Sequence, residues 1–451
     1  MMSARPRTYA IRAVLEPLEQ RILMTLSTLV SFNGWGIGTN GEHPQGSLIT
    51  DSAGNLYGTA DWGGASGDGT VFEISADAHT LTTLASFNGT NGAGPSSNLV
   101  IDSSGNLYGT CSGGGANGYG TVFEVSAGTH TLTTLINFND ANGAWPDTGL
   151  TIDSSGNLYG TTDGGGTEDS GTVFEISAGT HTLTTLVSFD NTGEIGLDPY
   201  GALILDSSGN LYGTTYDGGA HGEGAVFEIS ASSHIFTTLV NFNGTDGNNA
   251  NSALTLDSSG NLYGTCTGGG TDGYGTIFEI SAGTHDLTTL FNFSGTDGDS
   301  PNGLIFDGAG NLFGTTYDGG ANNDGTIFEL AANTHAFSTL VDFDGTDGST
   351  SNAALTIDTA GNLYGTTYWG GANDLGEVFE LTGDAVGASS KLAIAQQPAN
   401  VVTGQAISPS ITVDVQDTNG NLVALDNSTV TLAVATGPGS AAGTLTATAV
   451  E

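Results

Sequence analysis

The sequence predicts an all-β protein whose main body is a seven-bladed β-propeller of four-stranded blades, closed by an N-terminal strand. Three observations predict it: a sevenfold internal repeat, four strand-sized runs in every repeat, and a first and a last run that complete one another. A partial immunoglobulin-like β-sandwich is expected after the propeller.

The phrase Asp-x-x-Gly-Asn-Leu-(Tyr/Phe)-Gly-Thr begins at Asp51, Asp102, Asp153, Asp206, Asp257, Asp307 and Asp358. Successive starts are 51, 51, 53, 51, 50 and 51 residues apart, a period in the range of propeller blades. In the fourth unit the runs are 202–206, 210–215, 225–229 and 237–242, rich in apolar, aromatic and β-branched residues as strands are. Gly, Asn, Asp and Ser separate them, the composition of turns.

Closure distinguishes a propeller from an open solenoid. The chain opens on a fourth-strand sequence, Ser27-Thr28-Leu29-Val30-Ser31-Phe32, and its last unit stops at a third strand, 377–381. Pairing the two removes an exposed edge. Three aromatic sets repeat with the blades and are expected between them. They are Phe72 and its equivalents on third strands, Phe32 and Phe87 with theirs on fourth strands, and Tyr57 with its equivalents on second strands.

The units Gly-Asn-Leu-Tyr-Gly-Thr-Thr…Gly-Gly…Gly-Thr-Val-Phe-Glu-Ile resemble the GloVer tandem-repeat family of bacterial proteins across roughly residues 26–383. The resemblance implies surface anchoring through varied tails and no established catalysis. It transfers no functional residue.

At the ends, residues 1–25 carry Leu15-Glu16-Pro17-Leu18-Glu19-Gln20-Arg21-Ile22-Leu23, which resembles a leader motif of large bacterial surface proteins and implies export. Residues 384–390 read as a linker. Residues 391–451 resemble immunoglobulin-like stalk modules but number 61, where such a sandwich needs about 100. The module therefore reads as truncated.

Composition excludes whole classes of partner. The chain has 47 acidic residues against 5 basic ones, and none of the basic ones falls between positions 26 and 383. Nucleic-acid binding rests on Lys and Arg neutralising phosphates, so nucleic acid is not expected. No stretch has the length of a transmembrane helix. Cys111 and Cys266 occupy one position of two non-adjacent blades and are expected as free thiols, because a disulfide needs Cα atoms within about 7 Å.

Repeated polar residues read as turn chemistry. The Asp and Asn of Asp-Ser-Ser-Gly-Asn bracket a hairpin turn and cap it. No cofactor is expected, and calcium is the one ion these acidic turns invite. His79, His130, His181, His234, His285 and His335 share one turn between third and fourth strands, too far apart for one metal. The third-strand glutamates, Glu73 and its equivalents, stand one per blade and are expected to be solvated or to cap turns. No nucleophile elbow, HExxH or phosphate loop is present.

Symmetry breaks on one face only. Loops from second to third strands, and from fourth strands to the next blade, vary in length and content. They collect the non-repeated aromatics: Trp35, Trp62, Tyr119, Trp145, Tyr200, Tyr216, Tyr274, Tyr317, Tyr368 and Trp369. Loops on a rigid scaffold are where recognition resides, and aromatics beside Asp, Asn and Gly suit sugars. These ten residues form the candidate ligand-binding set, with no catalytic and no metal residue assigned. The expected function is a non-catalytic extracellular or cell-surface recognition module for polysaccharide or a surface protein. The alternative is an extracellular carbohydrate-active enzyme with acid/base carboxylates in those loops.

Overall fold

The computed structural model describes residues 24–33, 40–190 and 195–383, together with the strands Lys391–Gln396, Thr412–Gln416, Val430–Ala433 and Thr444–Ala447. Residues 26–382 form one compact unit, a seven-bladed propeller of four-stranded sheets. The leader expected at residues 1–25 and the linker at 384–390 lie almost wholly outside the described residues. Of the expected immunoglobulin-like module, two antiparallel pairs are described, Lys391–Gln396 with Thr412–Gln416 and Val430–Ala433 with Thr444–Ala447; its remainder lies outside them.

Each blade runs antiparallel from a short inner strand to a longer outer one. Blade two is typical: Val100–Ile101, Leu107–Cys111, Thr121–Val125 and Leu132–Asn137, hydrogen-bonded in that order. The inner strands hold only two residues each, shorter than the apolar runs that mark them in the sequence. In blades one and six the incoming loop adds a fifth strand, Glu42–Pro44 or Asp299–Pro301, against an extended second strand.

The last blade takes its outer strand from the other end of the chain. Met24–Ser31 lies beside Glu377–Gly383, and Phe32 N–H donates to the Gly376 carbonyl at 3.1 Å. Phe87 makes the same bond to Gly69 inside an ordinary blade. The spare strand and the vacant edge therefore complete one another, as the sequence predicts.

The core lies between blades. At all seven junctions a Phe that follows an outer strand packs against a third-strand Phe of the next blade. Centroid distances run from 4.9 Å for Phe87–Phe123 to 5.8 Å for Phe189–Phe227, and Phe32–Phe72 closes the ring at 5.4 Å. Both sets are fully buried. The second-strand tyrosines also sit at these junctions, as expected. They pack on the flanks of these clusters but remain half-buried, because the phenol oxygen needs a partner when buried and finds it at the blade's rim.

Two repeated residues of the Gly-Thr phrase explain the tight packing. Gly109 stands opposite Phe123 in register, and a Cβ there would lie 2.7 Å from the Phe123 ring and 2.9 Å from Leu99. The next residue ties blade to blade around the axis. Thr59 Oγ1 donates to the Ser97 carbonyl at 3.0 Å, Thr110 Oγ1 to Thr148 at 2.9 Å and Thr315 Oγ1 to Ala353 at 3.0 Å.

Candidate functional site

The turns that barely vary form one face, and their chemistry is structural. Asp102 Oδ1 accepts from the backbone N–H of Ser104 and Asn106 at 2.8 and 2.9 Å. Its Oδ2 accepts from Asn106 Nδ2 at 2.9 Å and from the Tyr108 hydroxyl at 3.2 Å. Asn106 Oδ1 in turn accepts from Ala127 N–H in the neighbouring turn. The six turn histidines all adopt positive φ, between 47° and 57°, and His130 N–H donates to the Ser126 carbonyl. The third-strand glutamates stand opposite the second-strand tyrosines, and Tyr364 donates to both Asp358 and Glu380. Cys111 and Cys266 are buried free thiols, and burial raises both well above the ordinary thiol range.

On the opposite face a cavity of about 730 Å³ opens on the axis, and all seven blades line it. Small polar residues that precede the inner strands form most of its wall, among them Ser47, Asn98, Thr148, Asn251, Asn302 and Asn352. A second ring comes from one equivalent position near the end of each second strand, just past it in most blades and within the extended strands of blades one and six: Asp61, Ser112, Tyr216, Thr267, Tyr317 and Tyr368. Its blade-three equivalent is Asp163, which is electrostatically coupled to Asp147 of the wall.

The expected binding aromatics separate into groups. Tyr200, Tyr216, Tyr317 and Tyr368 line the cavity; the first three are 36–40% exposed, and Tyr200 and Tyr216 lie 6.1 Å apart. Trp62, 54% exposed, faces Asp61 and the Tyr368 hydroxyl. Trp369 meets Tyr368 at 5.3 Å and His43 at 4.2 Å, both edge-on. Tyr119 and Trp145 pair at 6.5 Å away from the cavity wall, with the Trp145 ring lying over Gly164. Tyr274 covers Gly295 in the same way. Trp35 lies outside the described residues.

Sequence reasoning passed over His43, the polar wall and Asp163. His43 is buried at the closing junction, where its Nδ1–H donates to the Tyr368 carbonyl at 2.8 Å and its ring stacks on Tyr368 at 4.5 Å. Its signal was standing outside the repeated histidine column. The signal for Asp163 was its place in the variable column beside Asp61 and Tyr216.

Carboxylates at this mouth are held protonated above their ordinary range. Burial, then Asp163 and Asp61, push Asp147 up to about 6, against a hydrogen bond from Ser112. Burial, then Asp163, Asp217 and Asp169, push Asp198 up to about 6. Asp61 and Asp163 are raised by burial as well, at Asp61 against a hydrogen bond from Trp62 and the charge of His43. Among the described residues no three His, Cys, Asp or Glu side chains converge to hold a metal, and no helix is long and apolar enough to cross a membrane.

This is a tandem-repeat β-propeller with an axial cavity, polar in its wall and aromatic and acidic at its mouth. The chain belongs to the Gloeobacter/Verrucomicrobia repeat family, whose model matches residues 21–204, 192–379 and 307–431. Among solved structures it is similar to two extracellular domains from B. thetaiotaomicron. That assigned to the one-component system BT4673 is 13% identical, with a TM-score of 0.53 over 78% of this chain and 39% of the other. That assigned to the hybrid two-component system BT3049 is 16% identical, with a TM-score of 0.52 over 86% and 46%. The chain thus spans less than half the length of either, and the likeness is one of fold. No curated protein sequence matches it.

Proposed function

We propose that this protein is a non-catalytic extracellular recognition module that binds glycan at the mouth of the axial cavity. The observation that carries the reading is the convergence of Tyr200, Tyr216, Tyr317 and Tyr368 on a wall of Asn, Ser and Thr side chains. Aromatic faces take the apolar faces of sugar rings, and the amides and hydroxyls meet their OH groups. Export and surface display are part of the reading, supported by the leader-like segment and by the extracellular origin of the structural neighbours. The test is a glycan-array screen of the full chain with and without calcium. Trp62→Ala and Tyr317→Ala should each weaken the selected glycan about tenfold with little change in melting temperature. Unfolding by both variants, or undiminished binding, would refute the reading.

One observation favours a second reading, a carbohydrate-active enzyme. A carboxylic acid near pKa 6, as Asp147 is, can donate a proton to a leaving group. Hydrolysis of array hits that Asp147→Asn abolishes would establish it.

A further inference from the structure

We propose that Glu377 is a proton-operated latch on the closing strand: its protonated carboxyl holds the ring shut, and its ionisation loosens Met24–Ser31 from blade seven. Six blades join their third and outer strands through a hairpin turn. Blade seven instead receives its outer strand from the other end of the chain. The first residue of the third strand is Thr70, Thr121, Thr172, Ala225, Thr276 and Thr326 in blades one to six. The one glutamate of this column, Glu377, falls in the one blade without that hairpin.

Much of the seam copies an ordinary blade. Asn373 Nδ2 donates to the Phe32 carbonyl at 2.8 Å, as Asn117 Nδ2 does to Phe138. Glu377 changes the rest. In blade two the Thr134 hydroxyl, the counterpart of Thr28, donates to the Asn91 carbonyl at 3.1 Å. In blade seven the Thr28 hydroxyl turns to the Glu377 carboxyl, 3.1 and 3.2 Å from its two oxygens. The residue facing Glu377 across the sheet is Thr367. Its counterparts pair hydroxyl to hydroxyl, Thr162 with Thr172 and Thr316 with Thr326, whereas the buried Thr367 Oγ1 has no partner. The glutamate thus displaces an interaction within its own sheet and engages the closing strand.

Glu377 is fully buried, and the propeller holds no Lys or Arg to pair with it. The closing strand Met24–Ser31 carries no titratable side chain. Asp347, in the loop entering blade seven, repels the ionised form, while Thr28 and Ser31 donate to it. Asp344 shares the turn of Asp347, Asp374 accepts from Gly370 N–H, and Glu42 and His43 lie on the adjoining strand of blade one. Burial, with Asp347 adding to it, pushes the Glu377 acid from 4.5 up to about 7. A carboxyl freed into water by the strand's departure ionises at its ordinary value. The latch is therefore tightest below pH 4.5, weakens as pH rises to 7 and changes little above it. None of the eight residues of the closing strand is fully buried, so the strand can leave while the other blades stay packed.

The experiment is hydrogen–deuterium exchange of the full chain between about pH 4.5 and pH 8, read as protection factors so that the intrinsic pH dependence of exchange cancels. Leu132–Asn137, the hairpin-tied outer strand of blade two, is the internal reference. Protection of residues 26–32 should fall at least about tenfold relative to that reference as pH rises from about 5 to 7. Glu377→Gln, which cannot ionise, and Glu377→Thr, which installs the residue of blade one, should each abolish the fall. A fall that survives in either variant would overturn the proposal. So would a wild-type closing strand whose protection follows the reference at every pH.

Discussion

The two faces of the propeller use the same residue, aspartate, to opposite effect. On the face of repeated turns, burial pulls the Asp102 acid up, but hydrogen bonds from Asn106, Ser104 and Tyr108 outweigh it and leave it below the ordinary value. Asp51, Asp153 and Asp358 behave alike, for the same reasons. At the cavity mouth, burial and neighbouring carboxylates meet few donors, and Asp147 and Asp198 rise to about 6. The difference shows how to tell a structural carboxylate from an available one in a protein without basic partners. One has its lone pairs committed to donors a few residues away, and the other is buried beside like charge with few donors.

The largest expected effect breaks the frame that both faces share. Gly109→Ala drives a methyl into Phe123 and Leu99 and should cost about 3 kcal/mol, read as a lowered denaturant midpoint. An unchanged midpoint would mean that the blade junction yields more easily than its packing suggests.

Next comes the committed carboxylate. Asp102→Ala strips four donors of their acceptor and should cost about 2 kcal/mol. A cost below about 0.5 kcal/mol would place these turns with ordinary surface polar pairs.

The pH profile sets the faces against one another. Folded acids lowered below 3.8 contribute stability that is present above that value and lost as pH falls through it. Acids raised to about 6 contribute stability that is present below 3.8 and lost as pH rises through 6. Melting temperature should therefore peak near about pH 4 and decline toward pH 7. Asp147→Asn should make the upper limb shallower, Asp198 and Glu377 supplying the rest, and leave the lower one in place. A wild-type profile that rises steadily to pH 7 would contradict the contrast between faces.

Smallest is a repair within the repeated face. Blade six has Phe313 where the other blades have Tyr, opposite Glu329, and Glu329 is raised by burial and then by Asp307. Phe313→Tyr supplies a hydroxyl to that pair and should stabilise by about 0.5–1 kcal/mol, with the Glu329 acid brought down in a carboxylate titration.

Blade number, strand order and ring closure were legible in the sequence alone, because seven copies of one packing problem leave seven copies of its solution: Gly109 beneath Phe123, Thr110 across the junction, Asp102 and Asn106 around the turn. The split of the ten aromatics was not legible. Trp145 and Tyr274 cover glycines of adjacent loops while Tyr200 and Tyr317 look into the cavity, and nothing local separates the two roles. That Asp61, Asp147 and Asp163 share one quadrant likewise follows only from the rotation that carries one blade to the next. Repeats record short-range packing, which each blade solves within itself and against its neighbour. The chemistry of the axis belongs to residues far apart in the chain, and closing the ring is what brings them together.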